Sequence, residues 1–192
     1  MLVLSIGVVL FLGTHLVPSA PGVRQRIIER IGFNPYRGLF SLASLAGLVL
    51  IIVGKGHAPV DPLWVPRNWG FTTAVALMPL AFIFLVASYL PTNLKRVVRH
   101  PMLIGVALWA GLHLLCNGDV ASLILFGGFL AFSVFDIVSA NLRGAKRADT
   151  PVPWWRDLIP IVGGVLVYFV FLHYHGSLFG RTVLPYWNAV FS

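Results

Sequence analysis

Two histidines, His15 and His113, sit in stretches that are otherwise apolar. Ionisable side chains in hydrocarbon are costly, so they face a bundle interior, where they pair, line a path or hold a cofactor. Neutral imidazole is a common metal ligand, and two imidazoles from separate helices suit a haem wedged in a helical core. On a helix, Val106, Trp109, Ala110 and Cys116 share a face with His113, and Val8, Phe11 and Leu12 share one with His15. Such faces would line a flat aromatic cofactor, and Arg24, Arg26 and Arg99 are candidate partners for its propionates. A plainer expectation stands beside this one. Each histidine instead hydrogen-bonds a Ser, an Asn or a backbone carbonyl across helices. Cys116, one turn past His113, is either an alternative ligand or a small buried hydrophobe.

The remaining polar residues offer less. His57 and His100 fall in loops, and His173 and His175, two apart near the end of the last apolar run, point to different helix faces. Asp136 is the only acid well inside an apolar run and is expected to pair with a neighbouring Arg or His, or to snorkel. Asp119, in Asn117-Gly118-Asp119, reads as a turn and helix cap. Arg99-His100-Pro101-Met102-Leu103-Ile104-Gly105 resembles the Arg-His-Pro-x-x-x-Gly segment of membrane methyltransferases of the isoprenylcysteine and phospholipid type. There it helps hold S-adenosylmethionine together with a C-terminal acidic pair. This chain has no Glu after Glu29 and no acid after Asp157, so only half of such a site is present and methyl transfer is the weaker alternative. The chain has no nucleophile elbow, no H-E-x-x-H and no Gly-rich phosphate loop.

What must position these residues is a set of membrane helices. Of 192 residues, 58% are hydrophobic and 10% charged, with mean hydropathy +0.87, whereas soluble domains carry about 25% charged residues. Six apolar runs stand out: 2–17, 39–53, 71–90, 102–115, 120–140 and 158–179. They predict an all-α polytopic bundle of about six transmembrane helices forming one domain over residues 1–192. Several runs are shorter than the ~20 residues that cross ~30 Å of hydrocarbon, so their ends must extend into the loops or be shielded. Met1–Val17 lacks a basic n-region and a small-residue cleavage site and is read as a retained first span. Pro79 falls inside the third run, where a kink is expected and is tolerated in a membrane helix. Residues 22–31 alternate Val23, Ile27, Ile28 and Ile31 with Arg and Glu29, as in a short helix lying on the membrane surface.

Net charge is +8, and its distribution assigns orientation. Eleven Lys and Arg fall in the first, third and fifth loops (Arg24, Arg26, Arg30, Arg37; Lys95, Arg96, Arg99; Arg143, Lys146, Arg147, Arg156), and three elsewhere (Lys55, Arg67, Arg181). The positive-inside rule places the odd loops in the cytoplasm and both termini on the periplasmic side. The charge is thus accounted for by topology and anionic headgroups rather than by nucleic acid. Trp64, Trp69, Trp154, Trp155 and Trp187 lie near span ends, as interfacial anchors do. One difficulty follows from counting residues. His15 lies ~21 Å along a helix entered from outside and His113 ~18 Å along one entered from inside, which leaves the two ~9 Å apart in depth across a ~30 Å core.

Several separated motifs carry a family resemblance: Gly13-Thr14-His15-Leu16-Val17-Pro18-Ser19, Tyr36-Arg37-Gly38-Leu39-Phe40-Ser41-Leu42, Leu63-Trp64-Val65-Pro66, Arg99-His100-Pro101-Met102-Leu103, and the segment from Leu108-Trp109 through His113 to Asn117-Gly118-Asp119. In this order they resemble the NnrU family, over roughly the first five spans. That family is related to plant ζ-carotene isomerase, a membrane enzyme that uses haem b held by two histidines. The isomerase's ligand motifs resemble the His15 segment and the Trp109–His113 segment. The resemblance therefore implies a bacterial inner-membrane haem b protein with His15 and His113 as axial iron ligands. It further implies either isomerisation of a polyene-like lipid or an accessory role to the enzymes of denitrification, which reduce nitrite and nitric oxide. One departure is that a ligand-switching cysteine near the isomerase's second histidine corresponds here to Ala110.

Overall fold

Each of the six apolar runs becomes a helix in the computed structural model, which describes residues 1–180 and 183. The helices are α1 (Leu2–Leu16), α2 (Pro21–Ile31), α3 (Phe33–Gly56), α4 (Asn68–Tyr89), the single turn α5 (Leu94–Val97), α6 (Pro101–Cys116), α7 (Val120–Leu142) and α8 (Leu158–Phe179). No strand occurs among the described residues. Trp187 and Arg181, read above as an anchor and a tail charge, lie outside them.

The expected count of six spans is only partly met. Four helical segments are long and apolar enough to cross a membrane: 33–56, 68–89, 120–142 and 154–179. A fifth is added if α1 and α2, bent by 90° at their junction, are taken as one broken span. The reason is length. α1 has 15 residues and α6 has 16, giving ~22 and ~24 Å of rise against ~30 Å of hydrocarbon. The amphipathic segment forms α2, as its pattern requires, and buries none of its residues. Pro79 sits inside α4 without interrupting it.

Loop-to-loop bonds show that the helices alternate in direction. At one end Arg143 donates to the Ser19 carbonyl (2.8 Å), Ala148 N donates to Lys95 O (3.1 Å) and Asn93 Nδ2 donates to Val152 O (2.8 Å). These bonds gather the first, third and fifth loops into one basic end. At the opposite end the amides of Leu63 and Trp64 both donate to Gly118 O, at 2.6 and 3.1 Å. The charge count therefore grouped the loops correctly.

Packing divides the bundle into α1 against α3 and α4 against α6 and α8, with α7 joining the two groups. Leu4, Val8, Ile51, Ala110, Ala121, Leu125 and Phe126 form the buried cluster between α1, α3, α6 and α7. Large apolar residues such as Val9, Leu42 and Leu166 point outward, as lipid-facing positions do.

Asp119 closes the opposite end. As expected it caps a helix, accepting from the Ser122 amide at 2.9 Å. It also pairs with Lys55 Nζ at 3.1 Å, and Lys55 donates to Ser122 Oγ at 2.7 Å. Ser122 Oγ in turn donates to the second carboxylate oxygen at 2.6 Å. Burial pushes the Asp119 carboxyl up, but the Ser122 and Lys55 bonds outweigh it and hold the group below its ordinary value of 3.8. A depressed folded pKa means that the unfolded chain takes up the proton first. Asp119 thus contributes stability that is full above pH 3.8 and is lost as pH falls through the lower folded value. Thermal melts in detergent on either side of that pH should show this step, and Asp119→Asn should flatten it. An unchanged step in the variant assigns it to other carboxylates.

Candidate functional site

His15 and His113 receive the same local treatment from their helices. His15 Nδ1 donates to the Phe11 carbonyl at 2.7 Å, and His113 Nδ1 donates to the Trp109 carbonyl at 2.8 Å. A carbonyl only accepts, so Nδ1 carries the proton in both rings. In the neutral ring Nε2 then presents a lone pair. His57 makes the same bond to Val53 O at 2.9 Å but is exposed near the end of α3. What sets His15 and His113 apart is their surroundings.

Those surroundings are aromatic. His15 stacks on Phe11 (ring centroids 4.3 Å apart) and meets the edges of Phe40 (5.2 Å) and Phe132 (6.4 Å). His113 stacks on Phe126 at 4.5 Å and lies 5.1 Å from Trp109. Phe129 joins the two groups, 5.5 Å from Phe11 and 5.7 Å from Trp109. The result is a continuous row, His15–Phe11–Phe129–Trp109–His113, running from α1 across α7 to α6.

The row links the histidines without bringing their rings together. Phe132 flanks His15 and Phe126 flanks His113, and six positions on α7 amount to ~9 Å of rise. That spacing along α7 agrees with the depth gap counted from the sequence. His113 has a nearer imidazole, that of His175 on α8, with centroids 6.4 Å apart and planes 20° from parallel. Phe126 belongs to a π-helical segment, Leu123–Gly127, inside α7, an irregularity often found at functional sites.

Other candidates separate from this row in different ways. Arg24 lies over the Tyr36 ring at 5.6 Å, and Tyr36 neighbours Phe40, so Arg24 stands at the His15 end. Arg26 is exposed on the same helix. Arg99 and His100 both reach Asn141 Oδ1, at 2.6 and 3.0 Å, on the basic end and away from His113. Cys116 turns toward α4, with Sγ 3.6 Å from Gly70 O, and so packs between helices rather than facing His113. Asp136 accepts from Ser19 Oγ and lies 3.5 Å from Arg143, the arginine partner expected of it. Gly105, the last residue of the methyltransferase-like string, is a close-approach position, where a Cβ would stand 2.9 Å from Ala81 O on α4.

A family model described as NnrU protein matches residues 3–183. The chain belongs to the NnrU family. The match takes in α1 through α8, so it holds every residue of the aromatic row and reaches past the five spans that carried the resemblance. Comparisons with curated proteins and with solved structures give no match.

In this NnrU protein the residues that sequence reasoning missed are Phe126, Phe129 and Phe132, and it named His175 without its place beside His113. The three phenylalanines recur at every third position, the spacing that puts them on one face of α7. That stripe was readable as a signal. The approach of His175 to His113 was not, because it depends on how α8 packs.

Proposed function

We propose that the chain is a multi-pass haem b-binding protein of the bacterial inner membrane, with His15 and His113 as iron ligands. The observation that carries this reading is the matched pair of Nδ1–carbonyl bonds. Each leaves Nε2 unprotonated on a ring packed among aromatic side chains, and a fixed Nδ1–H partner of this kind is the usual support of a ligating histidine. The donor set suits haem: two neutral imidazoles, flat aromatic neighbours, and Arg24 at one end for a propionate.

Bound there, haem would supply reversible redox and ligand-exchange chemistry at iron. The chain's own residues hold the two imidazoles in one tautomer, exclude water with Phe11, Phe126, Phe129 and Trp109, and fix the inner end through Tyr36 and Phe40. For both histidines to reach one iron, the aromatic row between them must open. Within this reading, the relationship to ζ-carotene isomerase supports isomerisation of a polyene-like lipid, and family association supports an accessory role beside a denitrification enzyme.

The test is an absorption spectrum of protein purified in detergent from haem-sufficient cells. A stoichiometric Soret band is expected, and its response to reductant reports whether the iron is redox-active. Colourless protein overturns the proposal.

A further inference from the structure

A pocket of 350 Å³ opens at the basic end, away from the aromatic row, and its lining contains Lys95, Arg99, His100 and Lys146. Among the described residues none that lines it is acidic. Its other wall is apolar, with Met102 and Leu103 at the start of α6.

Two of the cationic groups, Lys95 and Arg99, are held in place with donors to spare. Lys95 Nζ gives one of its three N–H groups to Ser88 O at 2.7 Å, a carbonyl in the last turn of α4. Arg99 is anchored on Asn141, and four of its five N–H donors remain beyond that bond. The Ala148–Lys95 backbone bond folds the loop that carries Lys146 over the same opening. Pro101 opens the 16-residue α6, so the pocket also faces the positive end of a helix dipole, where early amides lack intrahelical partners.

Position selects the ligand. Met102 is exposed on the apolar surface of α6 directly beside the cations. A phosphate seated among Lys95, Arg99 and Lys146 would therefore have an adjacent face for a hydrocarbon tail. Basic pockets at this level of a bundle hold the head groups of anionic lipids. We propose that Lys95, Arg99 and Lys146 form a binding site for the phosphate of an anionic glycerophospholipid, whose acyl chain lies along Met102 and Leu103. The half of a methyltransferase motif seen in the sequence is, on this reading, an anion site.

Native mass spectrometry of the full chain in detergent, with phosphatidylglycerol, phosphatidylcholine or inorganic phosphate added separately, tests the proposal. Phosphatidylglycerol should be retained roughly tenfold better than phosphatidylcholine, and Lys95→Gln with Lys146→Gln should remove that preference. A control double variant, Arg30→Gln with Arg37→Gln, removes equal charge from α2 and α3 and should keep it. Equal retention of the two lipids overturns the proposal, as does loss of preference in both variants, which assigns it to diffuse surface charge. Full displacement of the lipid by inorganic phosphate would make this a soluble-anion site and equally overturn the lipid assignment. The outcome is independent of whether haem is bound.

Discussion

Gly54→Leu is expected to separate α1 from α3 and to prevent recovery of a monodisperse, folded protein. A Cβ at this position would collide with the backbone of Val3 and Leu4. Gly7 and Gly47 make the same kind of approach, with a Cβ 2.7 Å from Ile51 N and 2.8 Å from Phe11 N, respectively. Backbone cannot rotate away as a side chain can, so α1 must shift as a body. Overpacking costs about 1–3 kcal/mol where side chains can adjust, and about 3 kcal/mol or more is expected here. In membranes this close approach of small residues supplies much of the attraction between helices. Displacing α1 would also pull His15 from Phe40. Gly38→Leu is the control, because a Cβ there meets nothing within 4 Å. Its melting temperature in detergent should match or slightly exceed that of the parent, since Leu favours helix over Gly. A Gly54→Leu protein that melts with the parent would show that α1 and α3 do not rest on this contact.

How far the sequence foretold this arrangement depends on the range of the interaction involved. Hydropathy is a local property, and every apolar run it marked became a helix. Charge counting is nearly local as well, and it grouped the loops that Arg143, Asn93 and Ala148 tie together. Length along a helix is simple arithmetic, which is why the depth gap between His15 and His113 was visible beforehand. The span count was less legible, because a helix of 15 or 16 residues is a span or a short buried element according to its neighbours. Least legible were contacts between distant segments. Lys55 and Asp119 are 64 positions apart, and no periodicity points from one to the other. The π-helical segment that turns Phe126 onto His113 likewise comes from packing. The bond of Arg99 to Asn141, 42 positions away, is another contact of this kind.

His113→Ala should abolish haem retention, whereas His15→Ala should retain haem with an altered spectrum. The asymmetry follows from where the rings sit. His113, in the last turn of α6, is covered by Phe126 and Trp109 and has the second imidazole of His175 beside it. His15 lies nearer the basic end among the rings of Phe11, Phe40 and Phe132, where loss of its ring leaves Phe11 and Phe40 to close the gap. Changing only the outer partner of a ligating histidine lowers metal affinity about 10–100-fold, so removing the His113 ring should cost at least about a hundredfold. Circular dichroism should stay unchanged in both variants, because Ala leaves a hole rather than a clash. Added imidazole should restore the Soret band in His113→Gly, an effect that a purely structural histidine would not produce. His175→Ala completes the set, since that ring lies 6.4 Å from His113. If His175→Ala alters the spectrum while His15→Ala leaves it intact, the second ligand comes from α8 and the pairing proposed here is wrong. If none of the three histidines affects haem content, iron is held elsewhere, and the row from His15 to His113 is packing alone.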